Sequence, residues 1–218
     1  MSEENNRIPD ENDLLKRMRA IASDLWRESP DVTAEPKPKQ DKPARVVVKR
    51  PKIGIDNLWM TADETIDWTD ALAHDFPTDG LTNNRLWSFY HDMAEAVLNG
   101  DTKAYAEVLR KANPLGELTG FAEGISMRAP GPDRVEATFN CRKEHMEKDA
   151  RKYLSAMGVR IARDLLACLP VSEVGVTAMT EDGKAMEVTY RRDGMMHRNF
   201  SFLDPVKLTE ESGAKFSD

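Results

Sequence analysis

The chain has 218 residues, 40% of them apolar and 32% charged, with a formal net charge of −7. That length allows one ordinary domain with appendages or two small ones, with a packed core beneath much solvated surface. The acidic balance works against generic affinity for nucleic acid or anionic membrane, and no run approaches the ~18 apolar residues of a membrane span.

The opening "MSEENNRIPDEN" is polar and acid-rich, without an apolar signal core, which predicts a cytoplasmic protein. Residues 1–32 then form a first segment, read as a detached amphipathic helix. Leu14, Met18, Ile21 and Leu25 recur at spacings of three and four, and Leu15, Ala22 and Trp26 widen the stripe. Asp10 or Asn12 supplies the side-chain oxygen that caps the first turn. Residues 33–52 are a Pro/Lys-rich linker. Pro36, Pro38, Pro43 and Pro51 keep it extended. Lys37, Lys39, Lys42, Arg45, Lys49, Arg50 and Lys52 outnumber Glu35 and Asp41, making a local basic patch in an acidic chain. "RVVV" (Arg45–Val48) is its only stretch with strand propensity, suited to a sheet edge in this protein or in a partner.

Residues 53–218 read as an α+β domain. Residues 53–80 are irregular and acidic, with Trp59 and Trp68 as anchors onto the core. A helix is expected from a cap near Thr82 or Asn83 to Gly100, and a second from Asp101 to the residue before Pro114. The short "NGD" between them makes a helical hairpin. Strands "GISMRA" and "RVEATFN" follow, joined by the turn "PGPD". A long helix then runs from about Lys148 to Leu169 on a core stripe of Tyr153, Leu154, Met157, Ile161, Leu165 and Leu169. Gly158 in its middle predicts close packing against a neighbour. Lys148, Arg151, Lys152, Arg160 and Arg163 are assigned to its exposed face.

Strands "EVGVTAMT" and "AMEVTYRR" come next around "EDGK". A third, "MMHRNFSFL", follows the turn Asp193–Gly194, and a short helix opens at Asp204 and Pro205 before a frayed tail. The prediction is a mostly antiparallel sheet of about five strands, covered by the long helix and preceded by the helical hairpin.

The stretch "YLSAMGVRIARDLLACLPVSEVGVTAM", Tyr153–Met179, is similar to an uncharacterised bacterial protein family. There a helix of the RIARxLLAxLPV type precedes a strand of alternating valines. "LNGDTKAYAEVLRKANPLGEL" upstream and "RNFSFLDPVKL" downstream resemble parts of the same module, so the resemblance covers roughly residues 90–210. It implies a folded module that begins before the helical hairpin. It implies no reaction, cofactor or catalytic residue.

Chemistry-bearing patterns are sparse. "PD" (Pro132–Asp133) and "DGK" (Asp182–Gly183–Lys184) spell a PD…(D/E)xK nuclease motif, in which two carboxylates hold a metal beside a lysine. They stand about fifty residues apart across a long helix, and Asp-Gly also suits a two-residue hairpin turn, the reading preferred here. The histidines are His74, His91, His145 and His197. His91/Glu95 and Cys141/His145 have helical i, i+4 spacing, without the second pair that a zinc site carries. Cys141 and Cys168 are read as reduced thiols, Cys168 as a small core residue. No phosphate-loop, dinucleotide, nucleophile-elbow or metalloprotease motif occurs, so no metal or other cofactor is expected.

These readings converge on a non-enzymatic interaction or accessory protein. Leu14, Met18, Ile21, Leu25 and Trp26 would dock a protein partner or a second copy of the chain, with no membrane involved. The alternative is a nucleic-acid-associated protein or metal-dependent nuclease, with Arg45, Lys49, Arg50 and Lys52 on the phosphates.

Overall fold

The computed structural model describes residues 53–78, 86–195 and 198–217. All of them fall in the second of two units of the chain, Pro51–Asp218. The helix expected within residues 1–32 and the linker 33–52 lie outside the described residues. So do Leu14, Met18, Ile21, Leu25 and Trp26, and with them Arg45, Lys49, Arg50 and Lys52.

The described residues are a mixed α+β structure with six helices and one five-stranded sheet. Strand alternation shapes the sheet. In β1 (Ala122–Gly131) and β2 (Arg134–Cys141) one set of side chains faces inward and the next faces solvent. Val135, Ala137, Phe139 and Cys141 are buried, while Arg134, Glu136 and Thr138 lie on the open face. β3 (Glu173–Thr180) and β4 (Gly183–Arg191) repeat the pattern through Val174, Val176, Met186, Val188 and Tyr190.

The strand order is β1-β2-β3-β4-β5. All neighbours are antiparallel except the central pair, β2 and β3. That pair is parallel because the long helix, α4 (Lys143–Cys168), carries the chain from β2 to β3.

Three helices precede α4 or the sheet. The stretch from residue 53, expected to be irregular, holds a 3-10 turn at Leu58–Met60 and α1 (Trp68–Ala73), capped by the Asp67 carboxylate. Trp59 and Trp68 are buried, and their indole N–H groups donate to the carbonyls of Leu203 and Cys168, each at 3.0 Å. α2 (Trp87–Leu98) and α3 (Thr102–Ala112) form the expected helix pair, with Asp101 capping α3. Thr82 and Asn83 lie outside the described residues. Gly100 between the helices has φ +75°, and a Cβ there would sit 2.6 Å from Pro132 Cβ, so both backbone and space require glycine.

α4 is broken at Asp149 (φ −163°, ψ 88°), whose carboxylate accepts the Lys152 amide at 3.0 Å. The long regular part thus starts close to the expected Lys148. Its core stripe is buried, and a Cβ on Gly158 would lie 2.7 Å from the Tyr190 hydroxyl.

The expectation of a wholly exposed basic face on α4 needs correction. Lys148 and Arg151 are exposed and Lys152 half-exposed, but Arg160 is buried and Arg163 half-buried, because the 59–67 segment runs across that side of the helix. Two further corrections concern the C-terminal part. The described residues of "MMHRNFSFL" form no strand. Arg192–Met195 forms a short helix, α5, and Phe200–Phe202 a 3-10 turn capped by Asn199. The sheet's fifth strand is instead β5 (Lys215–Phe216). It follows α6 (Pro205–Glu211) and pairs with β4, so the tail expected to fray is tied down. Asp204 and Pro205 open α6 as expected.

Candidate functional site

A buried ionic centre lies where α4 meets the 59–67 segment. Arg160 and Asp164 are one helical turn apart, 1% and 0% exposed, in the buried part of α4. Arg160 Nε donates to Asp164 Oδ2 at 2.6 Å, and Nη2 lies 3.2 Å from Glu117 Oε2 and 3.8 Å from Asp63 Oδ1. Nη1 donates to the Thr61 hydroxyl. The other Asp164 oxygen accepts the Asp63 amide at 2.9 Å. Burial pushes the Asp164 carboxyl up to about 7, with Arg160 and the Asp63 amide pulling the other way. Burial likewise raises the Asp63 carboxyl, and Arg160 opposes it.

Arg163 continues the same seam. Its guanidinium donates to the carbonyls of Trp59 (2.6 Å) and Thr61 (3.1 Å) and stacks over Phe200 at 3.8 Å. Beyond it, Arg192 donates to the carbonyls of Leu166, Leu169 and Val171 at 2.6–2.7 Å. A cation there meets the negative end of α4 and satisfies carbonyls that the helix leaves free. Burial lowers both the Arg163 and the Arg192 pKa. These side chains fasten segments distant in sequence to one helix, and their hydrogen-bonding groups are spent on the protein itself.

A separate cleft of about 440 Å³ opens at the ends of β2 and β3, lined among others by Glu123, Cys141, Lys143, Met146, Met179 and Asp182. Burial raises its Cys141 thiol to about 11, which disfavours the thiolate at neutral pH. Cys168, inside the core, is raised to about 12 by the same cause.

The nuclease spelling is separated by the sheet register. The Asp133 carbonyl accepts the Ser172 and Glu173 amides at the start of β3, whereas Asp182 follows that strand's far end at Thr180. The two positions are roughly 23 Å apart along the strand, too far to share a metal. Lys184 Nζ binds Glu187 at 2.7 Å.

His91 Nδ1 lies 2.7 Å from the Ala71 carbonyl, which can only accept, so Nδ1 carries the proton and Nε2 faces Asp75 at 3.7 Å. His145 stacks between Phe121 and Tyr153, and His74 Nδ1 lies 2.8 Å from Asp70. His197 lies outside the described residues. Among the described residues no group of three or more His, Cys, Asp or Glu side chains is placed to hold a metal ion, and no helix is long and apolar enough to cross a membrane.

Two surface features were not anticipated from sequence. Phe202 is 89% exposed and Phe76 75%, on turns rather than on a helix face. The second is β1. It is a ten-residue strand at the end of the sheet, with no described strand on its outer side. Its inward row of Ile125, Met127 and Ala129 is only partly covered, where the equivalent rows of β2 and β3 are buried. Alternation in "GISMRA" reveals the strand, but nothing local marks it as an edge. The ionic centre did carry a sequence signal, since Arg160 and Asp164 stand at i, i+4 amid apolar neighbours.

Comparison of the chain with protein families, with curated proteins and with solved structures finds no match in any of the three.

Proposed function

We propose that the protein is a non-enzymatic interaction or accessory protein. Its N-terminal helix docks a protein partner or another copy through Leu14, Met18, Ile21, Leu25 and Trp26, and the α+β domain offers a second surface. The observation that carries this reading is the outer edge of β1, a ten-residue strand with no described strand on that side. Edges of this kind are docked by strand addition, and folded proteins otherwise blunt or cover them. Among the groups with large shifts, Asp164, Tyr153, Tyr190 and Cys168 are nearly or fully buried, and Asp164 is tied to Arg160. That supports an architectural use over a catalytic one. Cys141 and Cys168 are both free and buried, which fits a cytoplasmic setting.

The test is light scattering behind size exclusion, recording the 260/280 nm absorbance ratio, on the full chain and on Met18→Asp plus Leu25→Asp. Loss of the assembly or of a co-purifying protein in the double variant is expected. Unchanged assembly and partner content would sink the helix-docking reading. Bound nucleic acid that disappears when Lys49, Arg50 and Lys52 are neutralised would replace it with a nucleic-acid role.

A further inference from the structure

We infer that the β1 edge pairs with a second copy of itself, antiparallel through Gly124–Arg128 about a two-fold axis at Ser126. This rests on the interaction reading above and names the partner of one of its surfaces. The register with β2 is regular only from Gly124 to Arg128, with shifts between Ala122 and Gly124 and between Arg128 and Gly131. Ser126 is the middle of that run. Pairing centred there is the arrangement in which every regular residue finds a regular partner.

The facing pairs are then compatible on both sides of the sheet. On the inner side Ile125 faces Met127 of the other copy, and the reverse, extending an apolar row that a single copy only partly covers. On the open side Ser126 faces its own copy and Arg128 faces Gly124, where no side chain obstructs a guanidinium. Glu123 lies outside the regular run, at the register shift between Ala122 and Gly124. Arg128 is already drawn to Glu136 of its own chain at 2.5 Å and remains 76% exposed, leaving it access to the edge. No like charges stand directly opposite.

Pairing one step along, about Met127, would set Gly124 against Pro130, which has no N–H to contribute. The other edge of the sheet is less open, because β5 pairs with Met186 and Glu187 of β4, and the Ser217 amide binds the Ala185 carbonyl at 3.0 Å.

The experiment uses the full chain. Ser126→Cys is treated with a short bis-maleimide, with Ser201→Cys, also exposed, as the reference; native Cys141 and Cys168 are buried. Ser126→Cys should yield the covalent dimer as its main product, and Ser201→Cys should remain a single chain. In light scattering, Ser126→Lys, which sets two ammonium groups face to face, should weaken self-association about fivefold. Met18→Asp plus Leu25→Asp should leave the β1 cross-link intact. Equal cross-linking of the two cysteine variants, or a wild-type chain monomeric throughout the concentration series, would overturn the inference. An assembly abolished by the helix substitutions but untouched by Ser126→Lys would also overturn it, while leaving the helix-docking reading in place. The reverse pattern would keep the β1 surface and remove helix docking.

Discussion

Against the sheet, α4 sets Tyr153 edge-on to Phe139 of β2 and Gly158 under Tyr190 and Met186 of β4. Against the 59–67 segment the same helix presents Arg160, Arg163 and Asp164. Both sides are covered, by opposite means. The sheet side gains from removing apolar surface from water, a non-directional effect that tolerates reshaping as long as volume is kept. The segment side has taken charges out of water, which is favourable only while each keeps its partner. One side resists changes of size. The other resists changes of charge balance.

Arg160→Met separates the two most strongly. It leaves the Asp164 carboxyl buried without its cation and should cost about 3–5 kcal/mol in a denaturant titration. Adding Asp164→Leu to it should restore most of that loss, because a buried pair replaced whole by apolar groups is often near neutral. If the single and double variants are equally unstable, the centre is not an ion pair in the energetic sense, and the contrast between the two sides fails.

On the sheet side the sharpest probe is Gly158→Ala. Alanine is the better helix former by about 1 kcal/mol. Yet its methyl would meet the Tyr190 hydroxyl at 2.7 Å and Met186 Cε at 3.2 Å. Tyr190 is fully buried and hydrogen-bonded to Thr209 at 2.8 Å, so it has little room to move. A net loss of roughly 1–2 kcal/mol is expected, read as a lower midpoint at unchanged slope. A gain in stability would mean that the packing against β4 is looser than the distances say.

The same division explains what could be read in the sequence. The apolar stripe of α4 was legible because a period of three and four residues is a local property, as were the caps at Asp101 and Asp204 and the close approach at Gly158. Arg160 was misplaced because charge alone argues for solvent, and its other partners come from far along the chain. Glu117 is 43 residues away and Thr61 99. The strand expected in "MMHRNFSFL" failed for a related reason. Arg192 is drawn to the carbonyls at the end of α4, which turns the chain out of the β4 line before a hairpin can form. β5, two residues long, takes its strand character from the β4 edge it meets and carries no pattern of its own. The edge position of β1 has the same origin, since sheet order is set by α4 bringing β3 beside β2. The distant partners of Arg160 and the β1 edge are thus products of tertiary placement, which periodicity does not report.

A last expected effect bears on the pH dependence of the two sides. Nothing in the apolar stripe between α4 and the sheet titrates near neutrality, whereas Asp164 is raised to about 7 in the folded protein against ~3.9 in an unfolded chain. Between those values the folded state holds a proton that the unfolded state has released. Stability from this group is therefore greatest below pH ~4 and falls as pH rises toward 7, by at most ~1.4 kcal/mol per unit. Asp164→Asn keeps the shape and an oxygen for Arg160 while removing the titration. Subtracting its stability curve from that of the wild type cancels the histidines. The difference should slope downward from pH 5 to 7 and flatten above it. Asp63 shares Arg160 and is also raised, so the variant should lower the Asp63 pKa and shift part of the slope to the acid side. A difference that rises with pH would show that Arg160 holds Asp164 ionised throughout. The segment side would then behave as a conventional salt bridge that merely happens to be buried.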